Sequence, residues 1–280
     1  MVDEQVSGPG IPVGKSNGAR ASGEADESLS AVLRTLEGIA ETRVVWKDGL
    51  FHPGGPHRRL KGEQYPISIG EDECLAFGRL VRTLRPEHCF IIGNAFGLSS
   101  AYIGHVMKRH GGKSIVTLDD QSEGNGQRCA KVAQDLATAV GLDGLLTNKK
   151  GRSPENTREA AGDLKYDIIF IDGLHRHPQV TYDFDGAQPL AKEESVFVWH
   201  DGWLPGIPES VAAAKRQGVH CLWLPTSCEI ILGTRSKAVF EKLQAAFPEG
   251  KIDHKPPNYF VGYLKYLQTY WSIRFARASE

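Results

Sequence analysis

The sequence predicts an α/β fold, a doubly wound, mostly parallel seven-stranded sheet with helices on both faces and an antiparallel hairpin at its end. Three observations predict it. From about residue 71, short apolar runs alternate with amphipathic stretches of helical period, the pattern of consecutive βαβ units. The run 167–171 is apolar without alternation after its first residue, as expected of a strand covered on both faces. The late runs 220–224 and 229–232 are joined by only Pro225-Thr226-Ser227-Cys228, too short for a parallel crossover, so they pair antiparallel.

The elements follow in order. Residues 1–27 are rich in Gly, Ser, Pro and charge and read as a flexible N-terminal arm. Within it, Gly10-Ile11-Pro12-Val13-Gly14-Lys15-Ser16 imitates a phosphate loop. It has three residues between its glycines instead of four, and no apolar strand precedes it. Ser28 is placed to cap a helix running to about Ala40, with Leu29, Val32, Leu33, Leu36 and Ile39 on one stripe. Residues 44–70 read as a long irregular stretch with Trp46, Phe51, His52, His57 and Tyr65 among glycines and prolines. Residues 28–70 are therefore assigned as an N-terminal helix and a cap or lid.

A helix is expected from about 71 to just before Pro86. Strands follow at 89–92, 114–118, 145–147, 167–171 and 195–199, with helices at 99–110 and 127–140 between the first three. A final helix spans about 236–247. Residues 71–250 form the ligand-binding domain on this reading, and 251–280 an aromatic tail carrying Tyr259, Phe260, Tyr263, Tyr266, Tyr270 and Trp271, a candidate homodimer interface.

Composition excludes several classes. Lys+Arg 33 against Asp+Glu 34 leaves a net charge of −1, which argues against nucleic acid as a partner. No apolar run approaches the roughly 18 residues of a membrane span, and the first twenty residues lack a signal-peptide core, so the expected location is cytoplasmic. Cys74, Cys89, Cys129, Cys221 and Cys228 are odd in number and contain no CxxC pair. They read as small buried side chains in a reducing compartment.

Ligands of an open parallel sheet bind outside the carboxyl ends of its strands. The first strand is followed by Gly93-Asn94-Ala95-Phe96-Gly97-Leu98-Ser99, a GxxxG turn rather than the GxGxxG of dinucleotide sites. The second is followed by Asp119-Asp120, with Asp119 22 residues beyond Gly97, where a carboxylate meets ribose hydroxyls. After the third come Gly151, Arg152 and Ser153, with Ser153 a natural N-cap ahead of Pro154. The fourth ends in Asp172-Gly173-Leu174-His175 and the fifth in His200-Asp201-Gly202-Trp203. Two histidine/aspartate sets at one sheet edge supply bases near neutral pKa and donors for a divalent ion.

In this order, GNAFGLSS, VTLDD, GRSPE, FIDGLH and VWHDGW resemble the class I S-adenosylmethionine (SAM)-dependent methyltransferases, Rossmann-like enzymes, and among them the catechol O-methyltransferase-like small-molecule branch. The resemblance covers about residues 62–247 and implies that SAM is the cofactor. Gly93, Asn94, Ala95, Phe96 and Gly97, with Ser99, would line its methionine and ribose. Asp119, next to Asp120, would hold the ribose hydroxyls. Gly151, Arg152 and Ser153 would lie near the adenine, and Asp172 and Gly173 beside the methyl donor. His200, His175 and Asp201 would be catalytic. Asp172, His200 and Asp201 stand where metal-dependent members bind Mg²⁺ or another divalent cation.

The sequence departs from the family at three points. Ile91-Ile92 replace the acid that often precedes the first glycine, Leu174 stands where relatives often carry an acid, and His200 stands where metal-dependent relatives carry Asp or Glu. A hard cation such as Mg²⁺ prefers oxygen. The expected activity is methyl transfer to a hydroxyl of a small-molecule acceptor. The alternatives are methylation of nitrogen or carbon, of RNA or protein, or SAM binding without transfer.

Overall fold

The computed structural model describes residues 23–40, 42–49, 52–61, 68–122, 126–204 and 206–252. The phosphate-loop imitation and nearly all of the aromatic tail lie outside these residues.

Chain order is α1 (Gly23–Glu37), β1 (Thr42–Gly49), β2 (His52–Leu60), α2 (Glu71–Leu84), β3 (His88–Ile92), α3 (Leu98–Arg109), β4 (Ser114–Asp119), α4 (Gly126–Ala139), β5 (Leu146–Lys150), α5 (Thr157–Ala161), β6 (Tyr166–Ile171), α6 (Gln179–Ala187), β7 (Ala191–Trp199), α7 (Gly206–Arg216), β8 (His220–Leu224), β9 (Ile230–Thr234) and α8 (Lys237–Ala246). Seven strands form one sheet in the order β5-β4-β3-β6-β7-β9-β8. β3 pairs in parallel with both β4 and β6, β7 is parallel to β6, and β9 runs antiparallel to β7 and β8. The order reverses between β3 and β6, so the loops after these two central strands face each other across the switch point.

Period-two alternation along the central strands divides the core. Cys89, Ile91, Ile168, Phe170, Val196 and Val198 face one helical layer with Phe77, Tyr102 and Leu136. Phe90, Ile92, Ile169, Ile171, Phe197 and Trp199 face the other, with Val180, Phe184 and Val211. Both faces being covered explains the unbroken apolar run in β6. None of the five cysteines is in a disulfide, all are buried, and no described helix is long and apolar enough to cross a membrane.

Three local expectations are corrected. α1 begins at Gly23, ahead of Ser28. Ser28 lies inside the helix, buried, and its hydroxyl accepts from Arg109 Nη1 at 3.2 Å. Within the stretch 44–70, residues 44–49 and 52–60 belong to a two-stranded antiparallel sheet: β1 and β2 pair from Thr42↔Leu60 to Gly49↔His52, and the cross-strand ladder satisfies backbone groups that Gly and Pro content had suggested were in a loop. Ser153 is not an N-cap. Residues 153–156 form a turn, so α5 starts at Thr157, with Asn156 at the cap position, and the Ser153 hydroxyl instead accepts from Thr157 Oγ1 at 3.1 Å.

One carboxylate ties the amino edge of the sheet. Asp167 at the start of β6 accepts from the backbone N–H groups of Glu87 and His88, both at 2.9 Å, and from Lys192 Nζ at 2.8 Å. Asp167→Ala leaves two part-buried N–H groups without their acceptor. We expect a loss of about 2 kcal/mol, seen as a fall of about 4–8 °C in Tm by thermal denaturation.

Candidate active site

A cavity of about 610 Å³ opens at the carboxyl edge of the sheet. It is walled by the loops after β3, β4, β5, β6 and β7, by α6, and by Ser68, Ile69 and Cys228. Its floor is set where β3 and β6 end. Asp172 N donates to Ile92 O at 2.8 Å, and Gly93 N to Leu118 O at 2.9 Å. Gly93 has φ +85°, and a Cβ there would lie 2.0 Å from the Asp172 carbonyl oxygen, so only glycine fits. Ala95 (φ +43°) and Asp201 (φ +53°) are left-handed non-glycine residues in the same ring of loops, where backbone strain concentrates at functional sites.

Asp119 braces the β3 loop. Its Oδ2 accepts from the N–H groups of Asn94 (2.7 Å) and Ala95 (2.9 Å), and its Oδ1 from Gln121 (2.6 Å). A carboxylate has about four lone-pair directions, so one acceptor direction remains for a ligand hydroxyl. Asp120 accepts from Ser122 N at 2.9 Å, a local turn bond. Asn94 donates from Nδ2 to Asn148 at 3.1 Å, while its buried Oδ1 has no hydrogen-bond partner among the described residues.

Of the sequence-predicted cofactor residues, Gly93, Asn94, Ala95, Ser99, Asp119, Asp120, Gly151, Arg152, Ser153, Asp172 and Gly173 all line this cavity. His175, His200 and Asp201 line it too. Phe96 and Gly97 do not: Phe96 is fully buried in the core, and Gly97 (φ +84°) turns the chain into α3 against Ala133.

The histidine/aspartate sets meet. His200 Nδ1 lies 2.9 Å from Asp172 Oδ1 and 3.5 Å from Asp201 Oδ2. His175 lies 3.3 Å from Asp172 through Nε2 and 3.4 Å from Asp201 through Nδ1. Both histidines thus make close ion-pair contacts with the two aspartates. Behind them is Glu73 of α2, fully buried, with Oε2 3.0 Å from His200 Nε2. Glu73 also accepts from Gly70 N, Cys228 N and Thr226 Oγ1. Burial works against charge on His200, but Asp201, Glu73 and Asp172 outweigh it and hold its pKa well above the ordinary imidazole value. Burial likewise opposes the Asp172 carboxylate, yet the His200 charge and the His175 contact pull it down to about 2.

Glu73 was not singled out from sequence. It sits in the Glu71-Asp72-Glu73 run that opens α2, which reads as helix-dipole compensation on a solvated end. Gln179 and Asp183 were also missed, although their i, i+4 spacing put them on one face of α6. Gln179 Nε2 donates to Asp183 Oδ1 (2.8 Å) and to Ser153 O (2.7 Å) at the cavity wall. Burial pushes the Asp183 carboxyl up to about 6, against the hydrogen bonds from Ser153 and Gln179 that favour its charge.

The residues fit SAM: a glycine turn that admits a ligand, a braced carboxylate with an open acceptor direction, and an unpartnered buried amide oxygen. They fit Mg²⁺ poorly. The position expected to complete an oxygen shell carries His200, whose ring offers nitrogen only.

Comparison with known proteins bears on the fold. Residues 90–202 match the family model described as a methyltransferase domain. Similar solved structures include an O-methyltransferase from Bacillus cereus in complex with SAH (TM-score 0.52, 16% identity, 74% of this chain and 90% of that one). The O-methyltransferase TomG from Streptomyces achromogenes, involved in tomaymycin synthesis and in complex with SAM, gives 0.53 at 16% identity over 75% and 89%. The SAH-bound methyltransferase PaMTH1 from Podospora anserina gives 0.55 at 12% identity over 82% and 100%. No curated protein matches the chain. The fold is that of the class I SAM-dependent methyltransferases, and residues 90–202 match a methyltransferase-domain family model.

Asp183 yields a pH-dependent expectation. Its folded-state pKa of about 6 lies above the ordinary 3.8, so its contribution to stability is complete below about pH 4 and is lost as pH rises through 6. At pH 8 the fold carries a buried charge that costs up to about 3 kcal/mol. Asp183→Asn removes it while keeping an oxygen acceptor for Gln179. Scanning calorimetry should show Tm raised by about 4 °C or more at pH 8, with the difference gone at pH 4.

Proposed function

We propose that the protein transfers the methyl group of SAM to a hydroxyl of a small molecule. One observation carries the reading: the glycine turn braced by Asp119 and the cluster of Asp172, His175, His200 and Asp201 line the same cavity in a methyltransferase domain. A methyl donor in the first and an acceptor at the second would share one enclosed space. Two of the similar structures are of O-methyltransferases, which supports oxygen as the acceptor atom.

On this reading the Gly93 turn would admit SAM, and Asp119 would accept from its ribose hydroxyls. Asn94 Oδ1 supplies an acceptor for its amino group where the acid common ahead of the first glycine is missing. Gly151, Arg152, Ser153 and Gln179 surround the base. The sulfonium is intrinsically reactive, so the main task is to hold the acceptor oxygen in line with the S–CH₃ bond. As the new O–C bond forms, the C–S bond breaks and its electron pair stays on sulfur, leaving SAH. The hydroxyl proton passes to the His/Asp cluster. His175 is the more exposed of its two histidines, at 20% of its side-chain surface against 7% for His200. The net charge of −1 supports a small acceptor over nucleic acid. The β1–β2 hairpin, set before α2, is proposed as the lid over the acceptor.

Calorimetric titration with SAM and SAH tests the reading. We expect micromolar binding by the wild type, weakened at least 10-fold by Asp119→Ala and less by Asp119→Asn, which keeps one oxygen acceptor. In an acceptor screen that reads SAH formation, His200→Ala should lose most of kcat while SAM affinity changes less than threefold. A folded wild type that binds neither SAM nor SAH would sink the proposal.

A further inference from the structure

The loop after β5 meets the cavity with few hydrogen-bonding groups to spare. Pro154 carries no N–H, the Arg152 N–H is given to Asn156 Oδ1 at 3.0 Å, and the Ser153 carbonyl already accepts from Gln179 Nε2 at 2.7 Å. The Ser153 hydroxyl accepts from Thr157 Oγ1 at 3.1 Å and gives its own proton to Asp183. An acceptor for a ligand at this end of the cavity therefore has to come from elsewhere.

Asp183, one turn along α6 from Gln179, is placed to supply it. The residue lines the cavity and is only 1% exposed. Gln179 Nε2 donates to its Oδ1 at 2.8 Å. With the Ser153 hydroxyl this uses two of about four acceptor directions of a carboxylate. Oδ2 lies on the side of Gly173, where a Cβ would stand 3.4 Å from it and 3.3 Å from Ile92 Cγ2. The missing side chain keeps the approach to Oδ2 open. Burial holds the carboxyl up at about 6 even with two donors in place, so a third donor arriving with a ligand would relieve a buried charge.

We infer that Asp183 reads the base of the cofactor, its Oδ2 accepting from the exocyclic amino group of adenine, and that Gln179 is the positioning residue that aims it. The inference rests on the preceding reading, in which SAM occupies this cavity. There Asp119 takes the ribose and the His/Asp cluster marks the methyl end, so the base falls to the remaining wall of Gly151, Arg152, Ser153, Gln179 and Asp183. The 6-amino group of adenine only donates, and a carboxylate only accepts. A 6-oxo base puts a carbonyl lone pair against the same oxygen and leaves the buried carboxylate without its donor, the kind of mismatch that polar sites reject most strongly.

Gln179 makes the assignment testable. Its amide nitrogen is committed to Oδ1, which fixes the oxygen left for the base. In Asp183→Asn the same bond keeps the remaining oxygen on Gln179, so the new amide nitrogen takes the place of Oδ2. An acceptor becomes a donor, which suits a 6-oxo base. A carboxylate that merely tied α6 to the loop after β5 would be indifferent to the base.

SAH and S-inosylhomocysteine, its 6-oxo counterpart, are titrated by calorimetry into the full-length wild type and its variants at pH 8. We expect the wild type to prefer SAH at least 100-fold. Asp183→Asn should bind SAH at least 10-fold more weakly and S-inosylhomocysteine at least 10-fold more tightly. Adding Gln179→Ala to Asp183→Asn frees the amide to turn and should restore an SAH preference of at least 10-fold. If circular dichroism shows that the asparagine variant does not fold, Asp183→Ala serves, with the preference falling below 10-fold. A wild-type preference below threefold, or a folded Asp183 variant that keeps the wild-type preference, would overturn the inference. An Asp183→Asn preference left unmoved by Gln179→Ala overturns the role of Gln179. A wild type that binds neither ligand overturns the functional reading beneath it.

Discussion

The carboxyl edge of the sheet depends on the close approach of β3 and β6. Gly93 leaves open the volume that any side chain would fill, and the Asp172 carbonyl occupies it. Parallel pairing holds the two strands in register through Ile92↔Ile171, so the turn after β3 and the acid after β6 meet at the switch point. The cradle for one ligand and the charged group beside it therefore share a backbone junction. A change at Gly93 displaces both at once, because the clash is with backbone that has nowhere to move.

Charge organises the rest of the cavity. Glu73, Asp172 and Asp201 gather around two histidines in a region largely closed to water, where uncompensated carboxylates are costly. The arrangement is stable only with positive charge among them, supplied by protons on the rings or by an ion. Glu73 reaches the cluster from α2, on the far side of His200 from Asp172, and is itself fastened by backbone N–H groups at Gly70 and Cys228. The turn between β8 and β9 thereby becomes part of the site, although it lies at the antiparallel end of the sheet.

Much of the molecule was legible in the residues. Apolar runs with period-two burial, Gly93 and Gly97 at turns, and the short link ahead of β9 are local signals, and each reflects backbone geometry that neighbours in sequence decide. The reading failed where long-range contacts overrode local preference. Ser28 and Ser153 had good capping chemistry, yet Ser28 is packed inside α1 facing Arg109 and Ser153 joins a turn that leads to Thr157 and Gln179. The stretch 44–70 carries glycine and proline enough for a loop, yet its cross-strand ladder makes it a hairpin.

By itself, the sequence determined the parallel sheet, its antiparallel finish, the turn at Gly93 and the acids and histidines that end β4, β6 and β7, because strand-end residues must line the ligand edge of such a sheet whatever the details of packing. Only the tertiary structure decided that Phe96 belongs to the core, that Asp119 braces a loop as well as facing the cavity, and that Glu73 stands behind His200. Residues 73 and 200 are 127 positions apart. No periodicity or motif links them, and only the packing of α2 against the sheet brings that carboxylate to that ring.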